Sequence, residues 1–155
     1  MFDKSIKQYN TLLCAKITDV LGCTVVKSNI TKDIPAYPFV SFTVLNIHTK
    51  KGTYGNDGET KFSQASMTYS WTVQAADDYR ALELAQQLHD WFEETGRLWL
   101  KDNGMTFTGV GDITERDNMI TVEYEHRKGF DCVMNVLNKV EQSSEVIETF
   151  EPKYE

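Results

Sequence analysis

Cysteine is scarce in this chain of 155 residues, and long apolar runs are missing from it. The three cysteines, Cys14, Cys23 and Cys132, form no CxxC pair. An odd number of scattered cysteines argues against a disulfide framework, so we expect reduced thiols in the core. No apolar stretch approaches the roughly 18 residues of a membrane span, and the first residues lack the apolar core of a secretory signal. These absences indicate a soluble, intracellular protein.

An excess of basic residues is also missing. The chain holds 16 Lys and Arg against 23 Asp and Glu, which gives a formal net charge of -7 at pH 7. A protein that binds nucleic acid by neutralising phosphates usually has the opposite balance. Stable binding of DNA or RNA is therefore disfavoured.

Signatures of catalysis and metal binding are lacking as well. The histidines His48, His89 and His126 lie far apart and belong to no metal-ligand spacing. There is no GxxxxGK[ST] phosphate loop and no GxSxG elbow, and residues 109–111 (GVG) lack the third glycine of a dinucleotide fingerprint. Those glycines indicate a close approach or a bulge in an edge strand. We therefore predict no catalytic residues, no metal and no cofactor.

Two amphipathic helices are predicted from apolar residues at spacings of three and four. The first covers residues 3–21, with Asp3 as its N-terminal cap and Gly22 just past its end. The second follows Asp77 and Asp78 and continues for about five turns to Gly96.

Strands are predicted where β-branched and aromatic residues alternate with polar ones. The clearest is 66–75, which has one apolar and one hydroxyl-rich face. Three glycines with Asn56 and Asp57 predict a mobile, hairpin-like loop at 50–62, and Gly129 predicts a bulge. The other predicted strands are 25–26, 39–49, 105–114, 119–128 with a turn before it around 116–118, and a continuation at 130–137.

These elements predict an α+β fold, with a mostly antiparallel mixed sheet of about five strands and two main helices packed on one face. With 41% hydrophobic residues the chain can bury one core, so residues 1–138 form a single domain. Residues 139–155 carry five Glu against two Lys and few core residues. We interpret this acidic C-terminal tail as disordered, or as ordered by a partner.

The strongest candidate site is a charged strand face. Glu123, Glu125 and Arg127 alternate along the predicted strand 119–128 and so share one side of it. Two carboxylates about 7 Å apart can hold a cation or share a proton, which leaves open a small metal-dependent hydrolase or nuclease that also uses His126. Because no nucleophile or further ligand set accompanies them, we interpret this face as a subunit interface, a partner interface or a solvated surface.

A second candidate is the predicted loop at 50–62. Lys50, Lys51 and Tyr54 combine charge, an aromatic ring and neighbouring glycines, as loops that contact nucleic acid often do. Two acidic residues offset three lysines there, so the net charge of the loop is only +1. The loop is therefore either a contact to a subunit or partner or a solvated hairpin tip.

Residues 116–131 (RDNMITVEYEHRKGFD) resemble the neck and tail-terminator, or tail completion, proteins of tailed bacteriophages. Other segments agree in order: residues 37–42 (YPFVSF), and residues 71–74 (WTVQ) running into Asp77, Asp78 and a helix rich in Ala and Leu. The resemblance covers roughly residues 35–137.

This resemblance implies a structural, non-enzymatic virion protein that is assembled in the cytoplasm of the bacterial host. Such proteins form a ring, commonly a homo-hexamer, at the head-proximal end of the tail tube, where the ring ends tail growth and joins the tail to the head. The implied partners are further copies, the tail tube protein and the connector or stopper proteins of the head. DNA would only pass through the lumen, and no membrane is involved. The alternatives are a head-completion protein of the same neck and, in another class, an adaptor domain whose acidic tail binds a basic partner.

Overall fold

The structure, a computed structural model, describes residues 1–28, 33–117 and 125–141, with the backbone alone at 50–54. Its elements are α1 (Ile6–Leu21), β1 (Thr24–Lys27), β2 (Phe39–Asn56), β3 (Thr60–Ala75), α2 (Asp78–Asp90), a π-helical turn (Trp91–Thr95), α3 (Arg97–Asp102), β4 (Thr106–Thr108), β5 (Thr114–Glu115) and β6 (His126–Glu141). No helix in these ranges is both long and apolar enough to cross a membrane.

The strands form one mixed sheet in the order β1-β2-β3-β6-β4, and β5 pairs with β6 next to β4. Strands β1 and β2 run parallel, and the other pairs are antiparallel. Helices α1 and α2 are the two main helices and cover one face. The predicted α+β class and its mostly antiparallel sheet are confirmed.

The core lies between this helical layer and β3. The alternation along β3 turns five side chains toward the helices, each at most 1% exposed: Met67, Tyr69, Trp71, Val73 and Ala75. Tyr69 donates a hydrogen bond of 2.7 Å to Asn10 of α1. The ring of Trp71 lies 5.3 Å from that of Phe92, just past α2. Each large side chain buried in this way contributes about 1.5–3 kcal/mol.

Helix α1 is capped by Ser5 and not by Asp3. The Ser5 hydroxyl accepts from the N–H of Gln8 at 3.1 Å, and the Gln8 side chain accepts from the N–H of Ser5 at 2.8 Å. The predicted cap is wrong because this capping box satisfies two backbone donors at once. Asp3 forms an ion pair of 3.0 Å with Lys139 instead. Gly22 ends the helix with φ +69°, as predicted.

The predicted five-turn helix is confirmed from Asp78 onward, but its last turn is π-helical. There the indole of Trp91 lies against the backbone of Gly96, where an added Cβ would meet Trp91 Cε2 at 2.3 Å. Glycine is therefore the residue that lets the chain pass under this ring on its way into α3.

The segment 50–62 is not a loop. Strands β2 and β3 extend through it, and only the turn at 57–59 separates them. The carboxylate of Asp57 accepts from the N–H groups of Glu59 and Thr60 at 3.0 and 2.6 Å and so closes the turn. Of the three glycines that predicted a mobile loop, Gly52 and Gly55 lie in β2, whose register against β3 shifts several times, and Gly58 lies in the turn with φ +92°.

Gly129 is not a bulge, because β3 and β6 pair without a register shift from Ala75 with His126 to Thr60 with Glu141. The predicted strand 105–114 is interrupted instead: it consists of β4 and β5, with Gly109 at φ +59° between them.

Part of the predicted strand 119–128 lies outside the described residues, and β6 begins at His126. At its other end β6 continues to Glu141, three residues into the predicted acidic tail. The rest of that tail, 142–155, also lies outside the described residues.

Candidate interface on the polar face of the sheet

The sheet face turned away from the helices carries hydroxyl, amide and charged side chains, and we call it the polar face. On β3 it holds Gln64, Ser66, Thr68, Ser70, Thr72 and Gln74, and on β6 it holds Arg127, Asp131 and Asn135. The hydroxyl-rich face predicted for β3 is confirmed.

Arg116 lies across this face and binds two strands at once. Its Nη1 donates to Ser70 Oγ at 2.7 Å, to Thr72 Oγ1 at 3.1 Å and to the carbonyl of Trp71 at 3.3 Å. Its Nη2 forms an ion pair of 3.0 Å with Asp131 of β6. The guanidinium thereby ties the segment after β5 to both β3 and β6.

The neighbours of Asp131 keep it ionised. Partial burial opposes its charge, but hydrogen bonding to Ser70 and the charge of Arg116 outweigh that effect, so the pKa of Asp131 lies below its ordinary value. The polar face thus holds a charged pair that is already satisfied within the subunit.

Glu125 and Arg127 meet on the same side of the sheet, as their alternation predicted. The Glu125 carboxylate is only 5% exposed and accepts hydrogen bonds from Arg127 Nε and from the hydroxyl of Tyr37. A buried carboxylate needs such partners. The Arg127 side chain is 35% exposed, so it is the member of the pair that a partner can reach. Glu123 lies outside the described residues.

A cleft of about 420 Å³ opens beside this pair. Its charged walls are Lys27, Arg116, Arg127 and Glu125. The Ser41 and Gln74 side chains, hydrogen-bonded to each other at 2.8 Å, and apolar residues such as Phe39 complete it. The cleft is therefore amphipathic and presents more positive than negative charge.

A second charged cluster surrounds Lys128 on the helical side of the sheet. Its Nζ lies 2.8 Å from Asp78 and 3.5 Å from Asp117. His126 Nδ1 lies 3.3 Å from the Asp117 carboxylate and 3.5 Å from that of Asp78. Ligand atoms of Asp78, Asp117 and His126 are within 4.8 Å of one another, a spacing that could suit a metal ion. The ammonium group already neutralises these carboxylates, so a cation would have to displace it.

The cluster shifts the pKa values of both partners. Burial disfavours charge on Asp117, but the N–H of Arg127, the His126 side chain and Lys128 outweigh it and lower the pKa. Burial likewise disfavours charge on Lys128, but Asp78 and Asp117 outweigh it and raise the pKa. The arrangement is that of an ion-pair network in which each charge stabilises the other.

Lys50, Lys51 and Tyr54 belong to the far half of β2, where Lys50 pairs with Ala65. Arg127 pairs with Gln74, near the other end of β3. The two predicted candidate sets therefore lie toward opposite ends of the sheet and do not form one site.

Sequence reasoning missed the contributions of Arg116, Tyr37 and Asp117. The sequence placed Arg116 and Asp117 in a turn, and Tyr37 in a turn-rich stretch before β2. Arg116 and Tyr37 contact residues far away in the chain, and Asp117 contacts residues 9 to 11 positions later, so no local pattern reports these contacts.

The fold and its polar face define a small α+β protein in which ion pairs connect neighbouring segments of the sheet. A family model described as phage neck terminator protein matches residues 4–155. None of the curated proteins matches the chain. The chain belongs to the family of phage neck terminator proteins, and the resemblance found in the sequence is confirmed. It is thus a structural protein of the phage neck, where it contacts other head or tail proteins.

Proposed function

We propose that the chain forms a ring at the head-proximal end of the tail tube. Its resemblance to tail-terminator proteins implies that this ring is a homo-hexamer. There it ends tail growth and joins the tail to the connector or stopper proteins of the head. The match of the neck terminator family to residues 4–155 is the observation that carries this proposal. Assembly takes place in the host cytoplasm, before the finished tail meets the head.

The surface of the subunit suits a cyclic assembly. A ring is built from head-to-tail contacts, which require two different complementary surfaces on each copy. The polar face offers one such surface, where the exposed part of Arg127 borders the amphipathic cleft. We propose Arg127 as an interface residue, with Glu125 holding its guanidinium in place. Glu123 belongs to the same proposal on the sequence alternation alone.

The far half of β2 offers the second surface. Lys50, Lys51 and Tyr54 are its proposed contact residues, and they lie well away from Arg127, so they belong to a different surface of the subunit.

The charge of the chain suits a conduit for DNA. With a formal net charge of -7, the subunit repels phosphates and so lets a duplex pass without tight contact. The role needs no catalysis and no cofactor. The ionised groups around Arg116 and Lys128 are paired with one another, which suits a stable building block.

Tail length in assembled particles tests this function. Phage assembled without the protein should produce tail tubes longer than normal that carry no heads, and purified protein added to the lysate should restore joining. Electron microscopy measures both. Tails of normal length beside heads that lose their DNA would instead indicate a head-completion protein, and unchanged particles would reject both roles.

A further inference from the structure

The two outer edges of the sheet differ in how much of their length is covered by other segments. On the β6 side three short pieces cover the outer edge: β5 pairs at Gly129, β4 pairs from Val133 to Asn135, and the first residues of the chain pair near Asn138. The carbonyl of Lys139 also accepts from the N-terminal amine, and its N–H donates to the carbonyl of Met1. This edge is covered along most of its length.

Within the described residues, the β2 side is covered only at its start. Strand β1 pairs with β2 from Phe39 to Phe42, and the N–H of Ser28 adds one bond to the Phe42 carbonyl. Beyond Phe42, none of the described residues pairs with the outer edge of β2, which continues to Asn56. A long unpaired edge is a template for a further strand.

Apolar side chains are exposed along this part of β2. Leu45 is 53% exposed and Ile47 is 57% exposed. Both lie where the register of β2 against β3 shifts, between Val44 and Thr49. Irregular pairing of this kind usually protects an edge by bending it. Here it coincides with two aliphatic side chains that an added strand would cover.

We propose that the bare edge of β2, residues 43–56, receives residues 142–155 of a neighbouring copy as an added β-strand. This inference rests on the proposed ring and names one of its two contact surfaces. The recognition is β-augmentation, in which backbone hydrogen bonds supply affinity and side chains supply specificity.

Charge favours this occupant. Strand β2 contains two lysines, Lys50 and Lys51, and no acidic residue. Residues 142–155 contain four glutamates and one lysine. Opposite charges on facing strands attract one another and stabilise their pairing.

The apolar pattern of the donor agrees as well. The sequence 146–150 (VIETF) is rich in β-branched and aromatic residues, which favour strands. It carries apolar side chains that could cover Leu45 and Ile47.

The donor segment follows directly after Glu141, the last described residue of β6. Strand β6 ends at Glu141, which pairs with Thr60 beside the turn between β2 and β3. A strand on the bare edge of the same copy would lie about three strand spacings, roughly 14 Å, from β6. When the donor comes from a neighbouring copy, donor and acceptor are two different surfaces, as a head-to-tail ring requires.

Hydrogen exchange and sedimentation test the proposal together, on free protein and on assembled tails. The full chain is compared with a chain that stops at Glu141. We expect the truncation to break the ring into subunits and to speed amide exchange at residues 43–56 by at least about tenfold. A synthetic peptide of residues 142–155 should restore protection of those amides but not the ring.

A charge swap makes the test specific. Lys50→Glu with Lys51→Glu should weaken the ring, and so should Glu145→Lys with Glu148→Lys. Combining all four should restore it. Leu45→Lys with Ile47→Lys should also block docking, whereas Leu98→Lys, at a position 71% exposed on α3, is the matched control and should leave the ring intact.

Three outcomes would overturn the proposal. In the first, amides at 43–56 exchange equally fast in the full and truncated chains, both in the free protein and on tails. Residues 142–155 would then not cover this edge. Protection that depends on residues 142–155 in a monomer would show docking within one copy. A truncated chain that still forms rings and ends tails would reject this contact and leave the terminator function standing, whereas a full chain that never affects tail length would reject the function itself.

Discussion

The guanidinium of Arg116 lies directly over Gly129 on the polar face. A Cβ at Gly129 would be 3.0 Å from Arg116 Nη1 and 2.2 Å from the carbonyl oxygen of Trp71. The glycine therefore has a packing role: it leaves the space through which Arg116 reaches Ser70 and Thr72 of β3.

Gly129→Ala should destabilise the protein by about 1–3 kcal/mol, because the added methyl group must displace the arginine and push against the backbone of β3. Urea unfolding of the isolated subunit measures the change. Gly55→Ala is the matched control, since a Cβ there meets nothing within 4 Å, and its unfolding should be nearly unchanged. Equal stability of both variants would contradict this reading of Gly129.

Arg116→Met should cost about 1.5–3 kcal/mol, because it removes the charged hydrogen bonds to β3 and the ion pair with Asp131. Arg80→Met removes an exposed pair with Glu83 at 3.5 Å and should cost no more than about 0.5 kcal/mol. Thermal unfolding of the two variants side by side measures the difference. If Arg116→Met lowered stability no more than Arg80→Met, the hydrogen bonds and ion pair of Arg116 would contribute nothing measurable to stability.

The free energy of unfolding should fall at acid pH, because protonation of Asp117 removes its contribution. Its folded-state pKa lies below the unfolded value of about 3.9, so its contribution is present above that value and is lost as pH falls through the folded pKa. Asp117→Asn should therefore cost about 1–3 kcal/mol at pH 7, and the difference from wild type should shrink toward pH 2. Unfolding curves across this range measure it. A difference that stays constant with pH would exclude the charge as the cause.

Divalent cations should not stabilise the wild-type protein, because Lys128 Nζ sits 2.8 Å from Asp78 and neutralises the carboxylates that a metal would need. Melting temperatures with Mg²⁺, Zn²⁺ or a chelator should agree. The wild type should be compared with Lys128→Met, because this substitution removes the ammonium group and leaves Asp78, Asp117 and His126 available to a cation. Saturable stabilisation of the wild type, above all with metal-dependent cleavage of DNA, would contradict the structural role.

Arg127→Gln should weaken ring assembly by removing the exposed charge beside the cleft. Glutamine is preferred to glutamate because a second acid would repel the buried Glu125 and unfold the subunit for an unrelated reason. Light scattering measures the oligomer, and circular dichroism verifies the fold. Arg97→Gln, on the exposed side of α3, is the control. An oligomer unaffected by both changes would remove Arg127 from the interface.

The features of the fold that were predicted correctly from the sequence are those that depend on local periodicity. The two-residue alternation of β3 identified both of its faces, and the helical spacing after Asp78 identified α2 and its continuation. The alternation of Glu125 and Arg127 also placed them correctly on one side. Each of these follows from backbone geometry alone.

Residues whose role depends on distant partners were not predicted. Gly129 has the sequence appearance of a bulge, and only the arrival of Arg116 from another segment explains it. Asp3 and Ser5 both suit a helix cap, and the choice depended on Gln8 and on a lysine at the far end of the chain. Gly52 and Gly55 predicted a loop from their local preference, and the prediction was wrong because pairing of β2 with β3 overrides that preference.

The central position of β3 has a consequence for how the subunit folds. Its pairing with β2 joins neighbours in the chain across the tight turn at 57–59, whereas its pairing with β6 waits until α2, α3, β4 and β5 have been synthesised. Contacts between distant segments form slowly, because closing the intervening chain costs entropy. We therefore expect a nascent β2–β3 hairpin in which β1 covers only the start of β2 and the outer edge of β3 stays open. Such a species is prone to aggregate until β6 pairs with β3.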